Sequence, residues 1–109
     1  PKIDSPLDDL TASPTAVVIN YWKEFAKKDK NLTPFILEGA EIFNPPDNFT
    51  YEFVDFVNIE HSIFSAKIEY IIMIKGKDKD QQKEIKLIDT VVPTDNKGWQ
   101  ISTRTRGLQ

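Results

Sequence analysis

A capped amphipathic helix followed by a long stretch of strand-like sequence is the feature that most constrains this chain. Ser13 is a hydroxyl-bearing N-cap residue, and Pro14 suits the first helical position, where no backbone donor is needed. Val17, Val18, Tyr21, Trp22 and Phe25 then recur on one face, while Asn20, Lys23, Glu24, Lys27 and Lys28 fall largely on the other. The spacing predicts a helix to about Asp29, with a basic end that complements the helix dipole. From Tyr51 to Arg106 the apolar period drops to two, broken by polar turns. A single helix laid across a curved antiparallel sheet encloses a cone-shaped pocket, so the order of elements bears on function as well as on fold.

Between these halves, Thr33-Pro34 predicts a second, shorter helix to about Glu38, ended by Gly39. Ala40 to Phe43 reads as a short strand, stopped by the loop around Pro45-Pro46. Four strands are then expected. Tyr51 to about Ile59 slips in its alternation near Val54–Phe56, which predicts a bulge. Ile63 to Lys75 places Phe64, Ala66, Ile68, Tyr70, Ile72 and Ile74 on one face. Glu84 to Val92 follows a charged turn, and Trp99 to Arg106 follows a second one. In the last strand Trp99, Ile101, Thr103 and Thr105 share a side, opposite Gln100, Ser102, Arg104 and Arg106. Short polar connections imply hairpins, hence an α+β fold with the helix on an antiparallel four-stranded meander.

Length allows one domain: 109 residues bury enough surface for a core without metal or disulfide staples. The net charge of -3 argues against nucleic-acid binding, which needs a concentrated basic face. No apolar run approaches the roughly 20 residues that span a bilayer. The absence of cysteine excludes thiolate chemistry and disulfides without fixing the compartment. Residues 1–12 are polar, acidic and proline-bearing and read as a tether ahead of a domain at 13–109. Such a tether suits an exported protein, periplasmic or at the cell surface and lipid-anchored upstream of Pro1. A frayed terminus, a truncated longer protein and a cytoplasmic setting stay open.

The motifs Ser13-Pro14-Thr15-Ala16-Val17-Val18 and Gly98-Trp99-Gln100-Ile101, in this order of elements, resemble the nuclear transport factor 2-like superfamily, the cone-shaped, cystatin-like α+β fold. Small domains of exported bacterial proteins and lipoproteins are its most similar members. The resemblance covers residues 13–106 and implies fold more than activity. The superfamily includes ketosteroid isomerase, whose oxyanion hole pairs a tyrosine of the first helix with a protonated aspartate on a later strand. Tyr21 and Asp89 fall where those residues would sit. The position resembling the isomerase's general base is Asn44, ahead of Pro45, and an asparagine cannot accept a proton at neutral pH.

Asp89 stands out even without the resemblance. It shares a strand face with Ile85, Leu87 and Val91, so it is expected to point into an apolar interior. There it would be a neutral pocket acid that donates to a ligand, or it would pair with a neighbouring Arg104 or lysine. Tyr21, Trp22, Asn44, Tyr70 and Trp99 complete the candidate ligand pocket, each with core packing as its plainer role. The phenylalanines 35, 43, 53, 56 and 64 are placed to plug the cone. His61, the sole histidine, reads as a solvated turn residue, and no metal site, cofactor site or catalytic cluster is expected. Arg104 and Arg106 read as exposed charges of the last strand that block edge aggregation or bind an anion.

Two function classes follow. One is a non-catalytic domain that binds a small apolar ligand in the cone, or a protein through the sheet face, as in a homodimer meeting at Ile71 and Met73. The other is an isomerase-like, dehydratase-like or hydrolase-like enzyme using Tyr21 and Asp89 with an unidentified base. A protease inhibitor of the cystatin type would need a Gln-x-Val-x-Gly hairpin, which the chain lacks.

Overall fold

The computed structural model describes residues 10–27, 29–42, 49–78 and 80–107. One α-helix, α1 (Pro14–Phe25), packs on a four-stranded sheet of β1 (Thr50–His61), β2 (Ala66–Lys75), β3 (Gln82–Pro93) and β4 (Trp99–Arg106). The strands run β1-β2-β3-β4, each antiparallel to the next. The expected α+β meander is thus the observed one.

Helix α1 starts as its cap predicts: the Ser13 Oγ accepts from the Ala16 amide at 3.1 Å. It ends four residues before the expected Asp29. The Lys27 amide folds back onto the Glu24 carbonyl, and the Glu24 carboxylate accepts from the Asn31 amide at 2.8 Å. That bond draws the following chain across the helix end. The expected second helix is only a 3-10 turn, Thr33–Phe35. Beyond it Ile36 is extended and bridges to Ile101 in parallel, and the Leu37 amide donates to the Ile101 carbonyl. The segment therefore lies along β4 and cannot stay helical. Gly39, at φ +84°, turns the chain where a helix end was expected. Ala40 to Ile42 carry no strand, and Phe43 lies outside the described residues.

The strand β1 is bulged as its sequence predicts, with register shifts between Phe53 and Asp55 and between Phe56 and Asn58. β2 starts at Ala66 and not at Ile63. Ser62 to Ser65 close a turn through the Ser62 amide and hydroxyl, which both donate to the Ser65 carbonyl. This moves His61 from the turn to the exposed last position of β1. It also leaves Ile63 and Phe64 at the tip, 84% and 77% exposed, so Phe64 does not plug the cone.

A bulge between β3 and β4 corrects the expected faces of the last strand. Thr90 pairs with Thr103 but Val91 with Ile101, so Ser102 is an extra residue. Its hydroxyl donates to the Thr90 carbonyl at 3.1 Å. With one residue inserted, Ile101 and Arg104 both point inward, although simple alternation puts them on opposite faces.

The core lies between α1 and the inner sheet face. Val17, Val18, Tyr21, Trp22 and Phe25 meet Tyr51, Ile68, Tyr70, Ile72, Leu87, Val91 and Ile101. Each large apolar side chain enclosed here contributes about 1.5–3 kcal/mol relative to exposure. Phe35 is buried, and Phe53 and Phe56 pack against the cluster, so three of the five expected phenylalanines do fill the interior. Thr11, inside the stretch read as a tether, is also buried, and its carbonyl accepts from the Trp99 amide at 2.8 Å.

Candidate functional site

The residues singled out for chemistry converge on one point inside the cone. Asp89 sits on the inner face of β3 between Leu87 and Val91 and is fully buried. The β4 bulge brings Arg104 opposite it. Arg104 Nε donates to Asp89 Oδ1 at 2.8 Å, and its Nη2 donates to Oδ2 at 2.9 Å. Neither side chain is exposed. Two-point contact of this kind is the geometry that makes a desolvated pair tolerable.

The pair is closed in on its other sides. The Tyr70 hydroxyl donates to Asp89 Oδ2 at 2.8 Å, and Trp22 Nε1 donates to that hydroxyl at 3.0 Å. The Arg104 guanidinium lies over the rings of Tyr21 and Trp22, at 4.3 and 4.9 Å from their centroids. Such stacking stabilises a cation that has left water. Burial pushes the Tyr70 phenol well above its ordinary range, and the adjacent Asp89 charge adds to the shift. Burial raises the Tyr21 phenol too, against the opposing pull of Arg104. Desolvation works against the Arg104 charge, and the ion pair with Asp89 outweighs it and holds the guanidinium charged. Both phenols are therefore neutral over the physiological range.

Four of the six expected pocket residues, Tyr21, Trp22, Tyr70 and Asp89, are thus brought together, each at most 2% exposed. Trp99 stands apart, half-buried at the start of β4. Asn44 lies outside the described residues. Of the two roles open to Asp89, the geometry is that of the paired one: Arg104 occupies both carboxylate oxygens. Arg104 itself is a correction, since the sequence placed it among exposed charges. The missing cue was the bulge, which has no compositional mark. No buried side-chain nitrogen or oxygen among the described residues lacks a partner, so the network is complete without a ligand.

The clefts open elsewhere. One of about 330 Å³ lies at the end of α1, between Phe25, Lys27, Lys30 and Tyr51. Another of about 230 Å³ lies between the 3-10 turn and the β3–β4 connection, with Gln100 and Pro34 among its lining. Neither touches Tyr21, Trp22, Tyr70 or Asp89. Among the described residues no three His, Cys, Asp or Glu side chains cluster as metal ligands, and no helix is long and apolar enough to cross a membrane.

The outer sheet face is mostly charged. Met73 stands between Glu52 and Glu84, and Ile71 between Asp55 and Lys86. Both are half-buried, an apolar island inside a polar surround. Exposed large hydrophobics concentrate instead along β1. Among the described residues Phe49, Val54, Val57, Ile59, Ile63 and Phe64 make up this set, all on β1 or at its ends. Val54 and Val57 are the residues that the two bulges insert.

No protein-family model and no curated protein matches the chain. Its fold is similar to that of a solved structure described as an Ntf2-like protein involved in plasmid conjugation, with a TM-score of 0.61 and 15% identity. The match covers 99% of this chain, which spans 43% of that one. The architecture is accordingly the nuclear transport factor 2-like α+β cone.

Proposed function

We propose that this is a non-catalytic assembly domain that docks a protein through β1, a second copy of the chain being the partner. The carrying observation is the set of exposed apolar side chains along that edge strand, where Val54 and Val57 are 42% and 45% exposed. Soluble domains seldom leave such residues grouped without a use. The two bulges interrupt the regular row of backbone groups that strand addition would need, so the contact is made by side chains. This moves the expected sheet-face contact from Ile71 and Met73 to β1. The interior supports the same reading, because the side chains an enzyme would use are engaged with Arg104, Tyr70 and Trp22. The polar, proline-bearing residues 1–12 suit a tether, which supports placing the domain outside the bacterial cytoplasm.

The test is sedimentation of the wild-type chain and of Val57→Glu across a wide concentration range. Concentration-dependent dimerisation that Val57→Glu abolishes is the expected result. A wild type that stays monomeric throughout would remove the self-association.

A further inference from the structure

We propose that the cleft between the 3-10 turn and the β3–β4 connection binds a small neutral saccharide, independently of the β1 surface. Gln100 forms its floor. That side chain is only 3% exposed, and its Nε2 donates to the Pro34 carbonyl at 3.0 Å. The bond fixes which end of the amide meets Pro34, because an oxygen facing a carbonyl would repel it. Among the described residues no donor reaches the Gln100 Oε1, yet no fully enclosed polar atom is unsatisfied. The oxygen is therefore open to the cleft that Gln100 lines. A fixed, nearly buried acceptor of this kind is matched by an O–H or N–H of an occupant.

The rim supplies the complementary donors. Asn31 accepts the Thr33 amide on its Oδ1, which leaves its Nδ2 to donate outward. Asn96 adds a second amide and Thr33 a hydroxyl. Among the described residues no carboxylate lines the cleft, which disfavours a cation, and Lys97 is the single cationic side chain there, too little for a phosphate or polyanion. Acceptors and donors side by side, with the Pro34 ring as an apolar wall, suit vicinal hydroxyls that each donate and accept over a C–H face. The volume of about 230 Å³ is below the range of about 300–1,000 Å³ of drug-sized sites, which favours one sugar ring.

The experiment is an amide NMR titration of the full chain with glucose and with N-acetylglucosamine at up to tens of millimolar. Saturable shifts confined to Asn31, Thr33, Asn96, Lys97 and Gln100 are expected. Asn96→Ala, on an exposed loop, is expected to weaken binding several-fold, and Gln100→Met to abolish it while the rest of the spectrum keeps its dispersion. Absence of saturable shifts with both sugars would overturn the proposal. So would shifts centred elsewhere, or a titration that Asn96→Ala leaves unchanged.

Discussion

At the scale of single residues, the interior turns on Arg104. An isolated Asp89 in this core would carry a desolvation penalty that apolar neighbours cannot offset. The guanidinium resolves it with two hydrogen bonds, and is itself held over Tyr21 and Trp22. Removing only one partner is therefore far worse than removing both. Arg104→Met is expected to destabilise the chain by about 3–5 kcal/mol, because it strands the carboxylate. The double variant Asp89→Leu/Arg104→Met is expected to recover most of that loss. Urea unfolding of both single variants and the double gives the coupling energy directly. A double variant no more stable than Arg104→Met would show that the pair adds more than mutual compensation.

At the scale of elements, the helix start, the four strands and their order were legible because each rests on a local rule. Ser13-Pro14 is a cap, and the period of two survives along β2 and β3. Asp89 was legible as inward-facing for the same reason. Arg104 was one partner offered for it, yet the alternation also read Arg104 as an exposed charge, since one inserted residue at Ser102 reverses the alternation of everything after it. The Gln100 cleft was equally hidden: its floor bonds to Pro34, 66 positions away, and no local pattern records such a contact. The second helix failed for a tertiary reason, as the segment after Phe35 gains more by bonding to Ile101 than by continuing its turn. Docking of the segment before α1 belongs to this scale too. Gly98, at φ +71°, lies so close to Thr11 that a Cβ would collide with its carbonyl oxygen, whereas a Cβ at Gly39, φ +84°, would meet nothing. Both Gly→Ala changes incur the left-handed backbone cost of about 1–2 kcal/mol. Gly98→Ala is expected to lower the melting temperature further than Gly39→Ala, since it also displaces Thr11 from the Trp99 amide. Equal losses would mean that Thr11 yields freely.

At the scale of the whole molecule, the buried network ties four elements together: Trp22 from α1, Tyr70 from β2, Asp89 from β3 and Arg104 from β4. No one of them can leave without exposing the polar groups of the others, which favours a single cooperative unfolding transition. The raised Tyr70 phenol makes that transition sensitive to alkali. In the unfolded chain this phenol releases its proton near its ordinary value of 10.0, while in the folded chain it holds the proton well above that. Below pH 10 both states are protonated and stability does not depend on the group. Above it the unfolded state binds fewer protons than the native one, so stability falls as pH rises toward the folded-state value. Tyr21 acts in the same direction. Urea midpoints measured from about pH 8 to about pH 11 are expected to stay level and then drop steeply, the onset set by the unfolded phenol. Tyr70→Phe is expected to start lower by about 1–3 kcal/mol, having left the Trp22 N–H without its acceptor and Asp89 Oδ2 with one donor fewer, and then to fall less steeply. If Tyr70→Phe declines as sharply as the wild type, the alkaline sensitivity resides elsewhere. The network would then be a passive part of the core and not the lock that holds helix and sheet together.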